Sequence, residues 1–169
     1  MRLINTILLC GLLLLQSAMC VSAQKQIKIK FKITDEDFNI LKGARVVLYC
    51  ENEVEQVIES APSSIKMFLE SGHYYTLEVS LPGFITKRII FRTDIDEQYI
   101  TDDDYKFEIG LERAAKYRKF QNPDRVLEYP IAIIEMDTVE GRFDYNEKYY
   151  KSTRQDYEQL LKSIREINF

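Results

Sequence analysis

The sequence has little of the side-chain chemistry on which most secreted enzymes and metalloproteins depend. Its 169 residues include one histidine, three cysteines and no tryptophan. It contains no Gly-x-Ser-x-Gly elbow, His-Glu-x-x-His motif, Cys-x-x-Cys pair or phosphate-binding glycine loop. The strongest short signals for a hydrolase, a zinc site or a nucleotide site are therefore missing, and we predict no catalytic residues, no cofactor and no metal.

An excess of positive charge is also missing. The chain has 23 Lys and Arg residues against 27 Asp and Glu residues, which gives a net charge of −4. A protein that binds nucleic acid needs a basic surface that neutralises phosphates. The charge balance therefore argues against a nucleic-acid partner.

The cysteines are too few for a disulfide framework. Cys10 and Cys20 lie in an apolar N-terminal stretch that we expect to be removed, which leaves Cys50 alone. Cys50 ends an apolar strand, and His73 is the only histidine that could activate it. We interpret Cys50 as a buried, inert thiol rather than as a nucleophile.

The N-terminal apolar run is too short to span a membrane, which takes about 20 apolar residues. Arg2 supplies a positive start, Leu3 to Leu15 an apolar region, and Val21-Ser22-Ala23 a small-residue cleavage site before Gln24. This pattern predicts a signal peptide over residues 1–23 and a secreted or periplasmic product without a transmembrane span. The alternative is a membrane-anchored lipoprotein acylated at Cys20, although Met19 is larger than the residue expected there.

Short alternating segments dominate residues 24–111, which we predict to form a β-sandwich. In the first segment, Ile27, Ile29, Phe31 and Ile33 alternate with three lysines at 28, 30 and 32. An outward lysine row is typical of an edge strand that must not pair with neighbouring chains, and this is the interpretation we favour. An anionic ligand is the alternative.

Further strands are separated by turn signals at intervals of about 8 to 12 residues. Leu81-Pro82-Gly83-Phe84 is the most compact of these turns, because Pro fixes φ and Gly can adopt a positive φ. The turn is predicted to fold Phe84 back onto the core. Tyr105 to Leu111 alternates again and supplies a closing strand.

Three short motifs carry a resemblance to a known family: Leu41-Lys42-Gly43-Ala44-Arg45-Val46, Tyr74-Tyr75-Thr76-Leu77-Glu78-Val79 and Pro82-Gly83-Phe84. Together they resemble the carboxypeptidase-regulatory-like domains, which are prealbumin-like sandwiches of Bacteroidota envelope and secreted proteins. The resemblance covers about Gln26 to Thr93. It implies a seven-stranded Greek-key sandwich with a non-catalytic role in binding, folding or assembly.

The remaining chain is predicted to be a linker over residues 112–129 and a tail over residues 130–169 that contains a β-hairpin and an amphipathic helix. In the linker, Tyr117 and Phe120 alternate with cations, a pattern that can stack on sugars or bases. In the helix, Tyr150 and Tyr157 belong to an apolar stripe at helical spacing. We expect the stripe to pack on the β-structure, and we name these four aromatic residues as possible partner contacts.

Clustered carboxylates offer a competing function. Asp35 and Asp37, or Asp102 and Asp104, could do acid/base work in a small secreted hydrolase if burial separated their pKa values. The acidic run from Asp94 to Asp104 could hold calcium, yet no glycine-punctuated ligand loop frames it. Because these residues lie in hydrophilic turns, we favour a non-enzymatic envelope module that binds an envelope protein, a cell-wall polymer or a glycan.

Overall fold

The computed structural model describes residues 25–117, 130–137 and 140–156, and it is mainly β. The predicted signal peptide and most of the predicted linker lie outside these residues. Nine strands occur in the described ranges: β1 Gln26–Thr34, β2 Arg45–Cys50, β3 Glu53–Ile58, β4 Ile65–Glu70, β5 Tyr74–Ser80, β6 Lys87–Arg92, β7 Tyr105–Gly110, β8 Ala132–Asp137 and β9 Arg142–Tyr145. Helix α1 covers residues 147–156.

The strands form two sheets. The small sheet has the order β4-β1-β7, and the large sheet has the order β3-β2-β5-β6-β8-β9. Most neighbouring strands are antiparallel, but β1 pairs with β7 and β6 pairs with β8 in parallel. The prediction that β1 is an edge strand is therefore wrong, because its alternation fixed which face is buried but not which strands lie beside it.

The predicted alternation of buried and exposed residues is confirmed in most strands. Ile29 and Ile33 of β1 and Leu77 of β5 are fully buried, and Met67 and Phe91 are 1% exposed. Inward residues from both sheets form one hydrophobic cluster, to which the hairpin contributes Ala132, Ile134 and Phe143. The core thus lies between the sheets and includes part of the tail.

Two turns follow directly from local sequence. Glu51 and Asn52 have φ values of 48° and 72°, a tight turn that matches the twist of the β2–β3 hairpin. Gly83 has a φ of 88°, and the N–H of Phe84 donates to the carbonyl of Leu81 over 3.0 Å. Phe84 packs against the core as predicted.

The tail adds to the large sheet. β9 pairs with β8 in antiparallel register, and β8 pairs with β6. Asn146 caps α1, since its side-chain oxygen accepts the N–H of Tyr149 over 2.9 Å. Within the ranges that the structure describes, no helix has the length and apolar character needed to cross a membrane.

Candidate functional site

Of the four aromatic residues proposed as partner contacts, Tyr150 alone has a described side chain. It lies on α1 and is 46% exposed. Tyr117 ends a 3-10 turn, Ala114–Tyr117, and of Tyr117 itself the structure describes the backbone alone. Phe120 and Tyr157 lie outside the described residues.

Tyr150 lies beside an open groove that results from the unequal widths of the sheets. The small sheet ends at β7, whereas the large sheet continues to β8 and β9. Residues of β7, the β8–β9 hairpin and α1 line a groove of about 1360 Å³. We call this space the tyrosine groove, after Tyr145, Tyr149 and Tyr150, which lie along it.

Pairing register explains why Tyr145 faces the groove. Tyr145 lies directly opposite Ile134, and Phe143 lies opposite Met136, so the two aromatic residues share the inward face of the hairpin. Phe143 is covered by Tyr105 of β7, with ring centroids 5.7 Å apart. Tyr145 extends past this contact and remains 40% exposed.

The three groove tyrosines are held in different ways. The Tyr149 hydroxyl donates to the carbonyl of Pro130 over 2.7 Å, which ties α1 to the start of the hairpin. The rings of Tyr145 and Tyr150 are 6.4 Å apart and tilted by 48°. Two exposed aromatic rings therefore lie next to each other, one at the end of β9 and one on α1. The start of α1 is held by the Asn146 cap and by the hydrogen bond of Tyr149.

Charge along the groove is predominantly negative. Its charged lining residues comprise seven carboxylates and four cations. Lys87 is paired with Glu112 over 2.9 Å, and Arg142 is paired with Glu140 over 2.7 Å and with Asp144 over 3.3 Å. A neutral or cationic ligand suits this surface better than an anionic one.

Burial raises the pKa of Tyr145, and the negative charge of Asp144 raises it further. Burial likewise raises the pKa of Tyr105. Both hydroxyls therefore stay protonated at neutral pH and can act as hydrogen-bond donors as well as acceptors. The rings offer apolar area next to these polar groups, a combination that is enriched at binding surfaces.

The carboxylates considered for acid/base work do not converge. The Asp35 carboxylate accepts hydrogen bonds from the backbone N–H groups of Asp37 and Asn39 and from the Asn39 side chain, so it organises its own loop. Asp102 is fully exposed and pairs with Lys28 over 3.3 Å. Asp104 pairs with Lys66 over 2.8 Å.

Two other residues considered as reactive groups, His73 and Cys50, also lie outside the tyrosine groove. His73 is partly exposed, and its nearest carboxylate is Glu51 at 3.9 Å. Cys50 is a half-buried free thiol whose pKa is raised by burial. In the parts of the chain described here, no group of three or more His, Cys, Asp or Glu side chains could hold a metal ion.

Sequence reasoning placed Tyr145 in the hairpin but did not identify it as a site residue. The missing information was the width of each sheet, because a strand pattern does not say where the opposite sheet ends. The available local signal was the clustering of Tyr145, Tyr149 and Tyr150 within six residues of sequence around the cap residue Asn146.

No protein-family model and no curated protein sequence matches the chain. Among solved structures, it is similar to catechol 1,2-dioxygenase of Acinetobacter radioresistens, with a TM-score of 0.39, 13% identity and coverage of 54% of this chain and 53% of that one. For 3-chlorocatechol 1,2-dioxygenase of Rhodococcus opacus, the TM-score is 0.39, the identity 4% and the coverage 56% and 62%. The chain thus spans little more than half the length of these enzymes, and TM-scores this low assign neither a fold family nor an activity.

Proposed function

We propose that the chain is a non-enzymatic binding or scaffold module of the cell envelope, which holds its partner in the tyrosine groove. The observation that carries this proposal is the pair of exposed rings, Tyr145 at the end of β9 and Tyr150 on α1, which lie next to each other along the groove. Aromatic side chains that are rigidly held and only partly covered supply contact area at low cost in conformational entropy.

The partner that fits is an envelope protein, a cell-wall polymer or a glycan. The excess of carboxylates along the groove favours a region of that partner that is uncharged or cationic. The protonated hydroxyl of Tyr145 suits ligands with hydroxyl or amide groups, which both donate and accept hydrogen bonds.

The proposal includes a fold family and a location. We propose that β1–β7 form a seven-stranded Greek-key sandwich of the carboxypeptidase-regulatory-like type, supported by the division into β4-β1-β7 and β3-β2-β5-β6. The pattern of residues 1–23 supports export to the periplasm or the exterior, and Cys20 offers lipid anchoring as the alternative.

The test is capture from an envelope extract, followed by direct measurement of the captured component. Residues 24–169 are immobilised as the wild type, as Tyr145→Ala/Tyr150→Ala and as Tyr74→Ala. Tyr74 is a matched control, since it is 47% exposed but lies on β5, outside the groove lining. A component bound by the wild type and the control is expected to bind the double variant about tenfold more weakly.

Two results would overturn the proposal. One is that the isolated component binds the wild type and the double variant equally well, which would place the contact elsewhere. The other is that the chain converts the captured polymer into smaller products, which would make it an enzyme.

A further inference from the structure

The outward face of the small sheet carries a concentration of lysine side chains. We call it the lysine face, defined by Lys28, Lys30, Lys32, Lys66 and Lys106 together with the exposed ring of Phe68. Lys30 of β1 lies opposite Lys66 of β4 on one side and opposite Lys106 of β7 on the other. Three ammonium groups therefore stand in one row across all three strands.

Fold stability does not account for the central lysine of this row, Lys30. Like charges directly opposite one another on neighbouring strands are destabilising. Lysines that guard an edge against pairing belong on an outer strand, but β1 is the central strand of its sheet. Lys66 and Lys106 lie on the outer strands β4 and β7, where lysines do guard an edge, but Lys30 lies between them on β1 and protects no edge.

The carboxylates near this face leave part of the positive charge unneutralised. Lys28 pairs with Asp102, and Lys66 pairs with Asp104. Across the described residues, the ammonium groups of Lys30, Lys32 and Lys106 have no carboxylate within salt-bridge distance. Because Lys32 lies beside Glu108 in the register, the positive charge that is not held in an ion pair is centred on Lys30 and Lys106, which attract Asp104 from beyond ion-pair distance.

An aromatic ring adjoins the row and narrows the ligand class. Phe68 is 47% exposed, and the Lys66 ammonium lies 5.7 Å from the centre of its ring. Phe68 also lies opposite Lys28 in the register. An apolar ring suits the C–H face of a sugar, and the flanking ammonium groups suit a carboxylate or sulfate on the same sugar or the next.

We propose that the lysine face binds an acidic polysaccharide. A polymer fits better than a small anion because each exposed ion pair contributes little by itself and several must act together. The surface is a sheet face rather than an enclosed pocket, so an extended chain can lie across its three strands. This goes beyond the groove proposal, since the groove is acidic and favours the opposite kind of charge.

The test uses residues 24–169 with polygalacturonate as the probe and dextran as the uncharged control polymer. The variants are Lys30→Ala/Lys106→Ala and Phe68→Ala, and Lys42→Ala/Lys148→Ala removes two exposed lysines elsewhere. We expect binding of polygalacturonate but not of dextran, which weakens as salt is added. Binding is expected to fall at least about fivefold in the first two variants and to stay unchanged in the third.

Two further measurements distinguish a loss of binding at the lysine face from a loss of folding and from a failure of the groove proposal. Thermal unfolding of Lys30→Ala/Lys106→Ala should occur at the same temperature as the wild type or higher, since a repulsion is removed. Tyr145→Ala/Tyr150→Ala should bind polygalacturonate as the wild type does, so the two proposals fail separately. Undiminished binding by either lysine-face variant, or equal binding of dextran, would overturn the proposal.

Discussion

A single carboxylate organises the loop after β1. Asp35 is 6% exposed, and its hydrogen bonds hold a turn in which Phe38 has a φ of 62° and an 80% exposed ring. A positive φ is unfavourable for a bulky residue and persists only where the surrounding contacts enforce it. Asp35 therefore fixes the shape of the loop.

Hydrogen bonds from Asn39 lower the pKa of Asp35 below its ordinary value of 3.8, and Arg113 adds a smaller effect. Because the folded-state pKa is depressed, the ionised group stabilises the fold above the unfolded-state value, and this contribution is lost as the pH falls through the folded pKa. In Asp35→Asn, we expect a lower free energy of unfolding at neutral pH and a smaller decline below about pH 4. Urea titrations across this range measure both effects.

Asp37→Asn is the matched control in the same loop, since the Asp37 side chain is exposed. It should retain the acid dependence of the wild type. An Asp35→Asn variant with an unchanged acid profile would show that the loop does not depend on the charge.

For single residues, the property that the sequence predicted best is burial. The alternation in β1, β4 and β5 correctly assigned the residues that face the core. Val47 was missed, because it lies on the outward side of β2 and yet is 2% exposed. A central strand can be covered on both faces, and one strand's pattern does not reveal that.

At the scale of elements, the hairpin is the feature whose role changed most. The sequence predicted a strand pair in a tail, whereas β8 aligns with β6 and makes the hairpin part of the large sheet. Parallel pairing between strands far apart in sequence leaves no local signal, because no turn connects them. The sequence therefore predicted the element but not its neighbour.

Ile134 tests whether the hairpin is integral to the fold. It is fully buried in the common core, whereas Ile133 points to the other side of the sheet and is only half-buried. Ile134→Ala should lower the free energy of unfolding by about 2–5 kcal/mol, as expected for a fully buried aliphatic side chain. Ile133→Ala should cost clearly less, and urea unfolding compares the two.

If Ile134→Ala and Ile133→Ala both lowered the free energy of unfolding by the same small amount, the hairpin would not be integral to the fold. That result would mean that the inward face of β8 is not packed against the rest of the core.

At the scale of the whole molecule, the described residues form one hydrophobic cluster, to which both sheets and the hairpin contribute. A domain with a single core unfolds in an all-or-none manner. We therefore expect far-UV circular dichroism and tyrosine fluorescence to give the same urea midpoint. Separate midpoints would show that the hairpin and helix unfold independently of the sandwich.

The candidate site was predictable only in part, because it depends on the assembled molecule. Tyr150 was identified from its place in an apolar stripe at helical spacing, which was expected to pack on the β-structure, whereas its side chain is 46% exposed. The groove beside it results from unequal sheets, since the described ranges contribute three strands to the small sheet and six to the large one. This difference emerges from pairing among distant segments, which no single stretch of sequence encodes.

The central position of β1 also determines when the molecule can fold. The ribosome makes this strand early, but its two neighbours, β4 and β7, follow much later, and β7 begins only at Tyr105. Contacts between such distant segments slow folding, and β-sandwiches typically take milliseconds to seconds. A nascent chain would therefore leave one edge of β1 unpaired until β7, which ends at Gly110, has been synthesised.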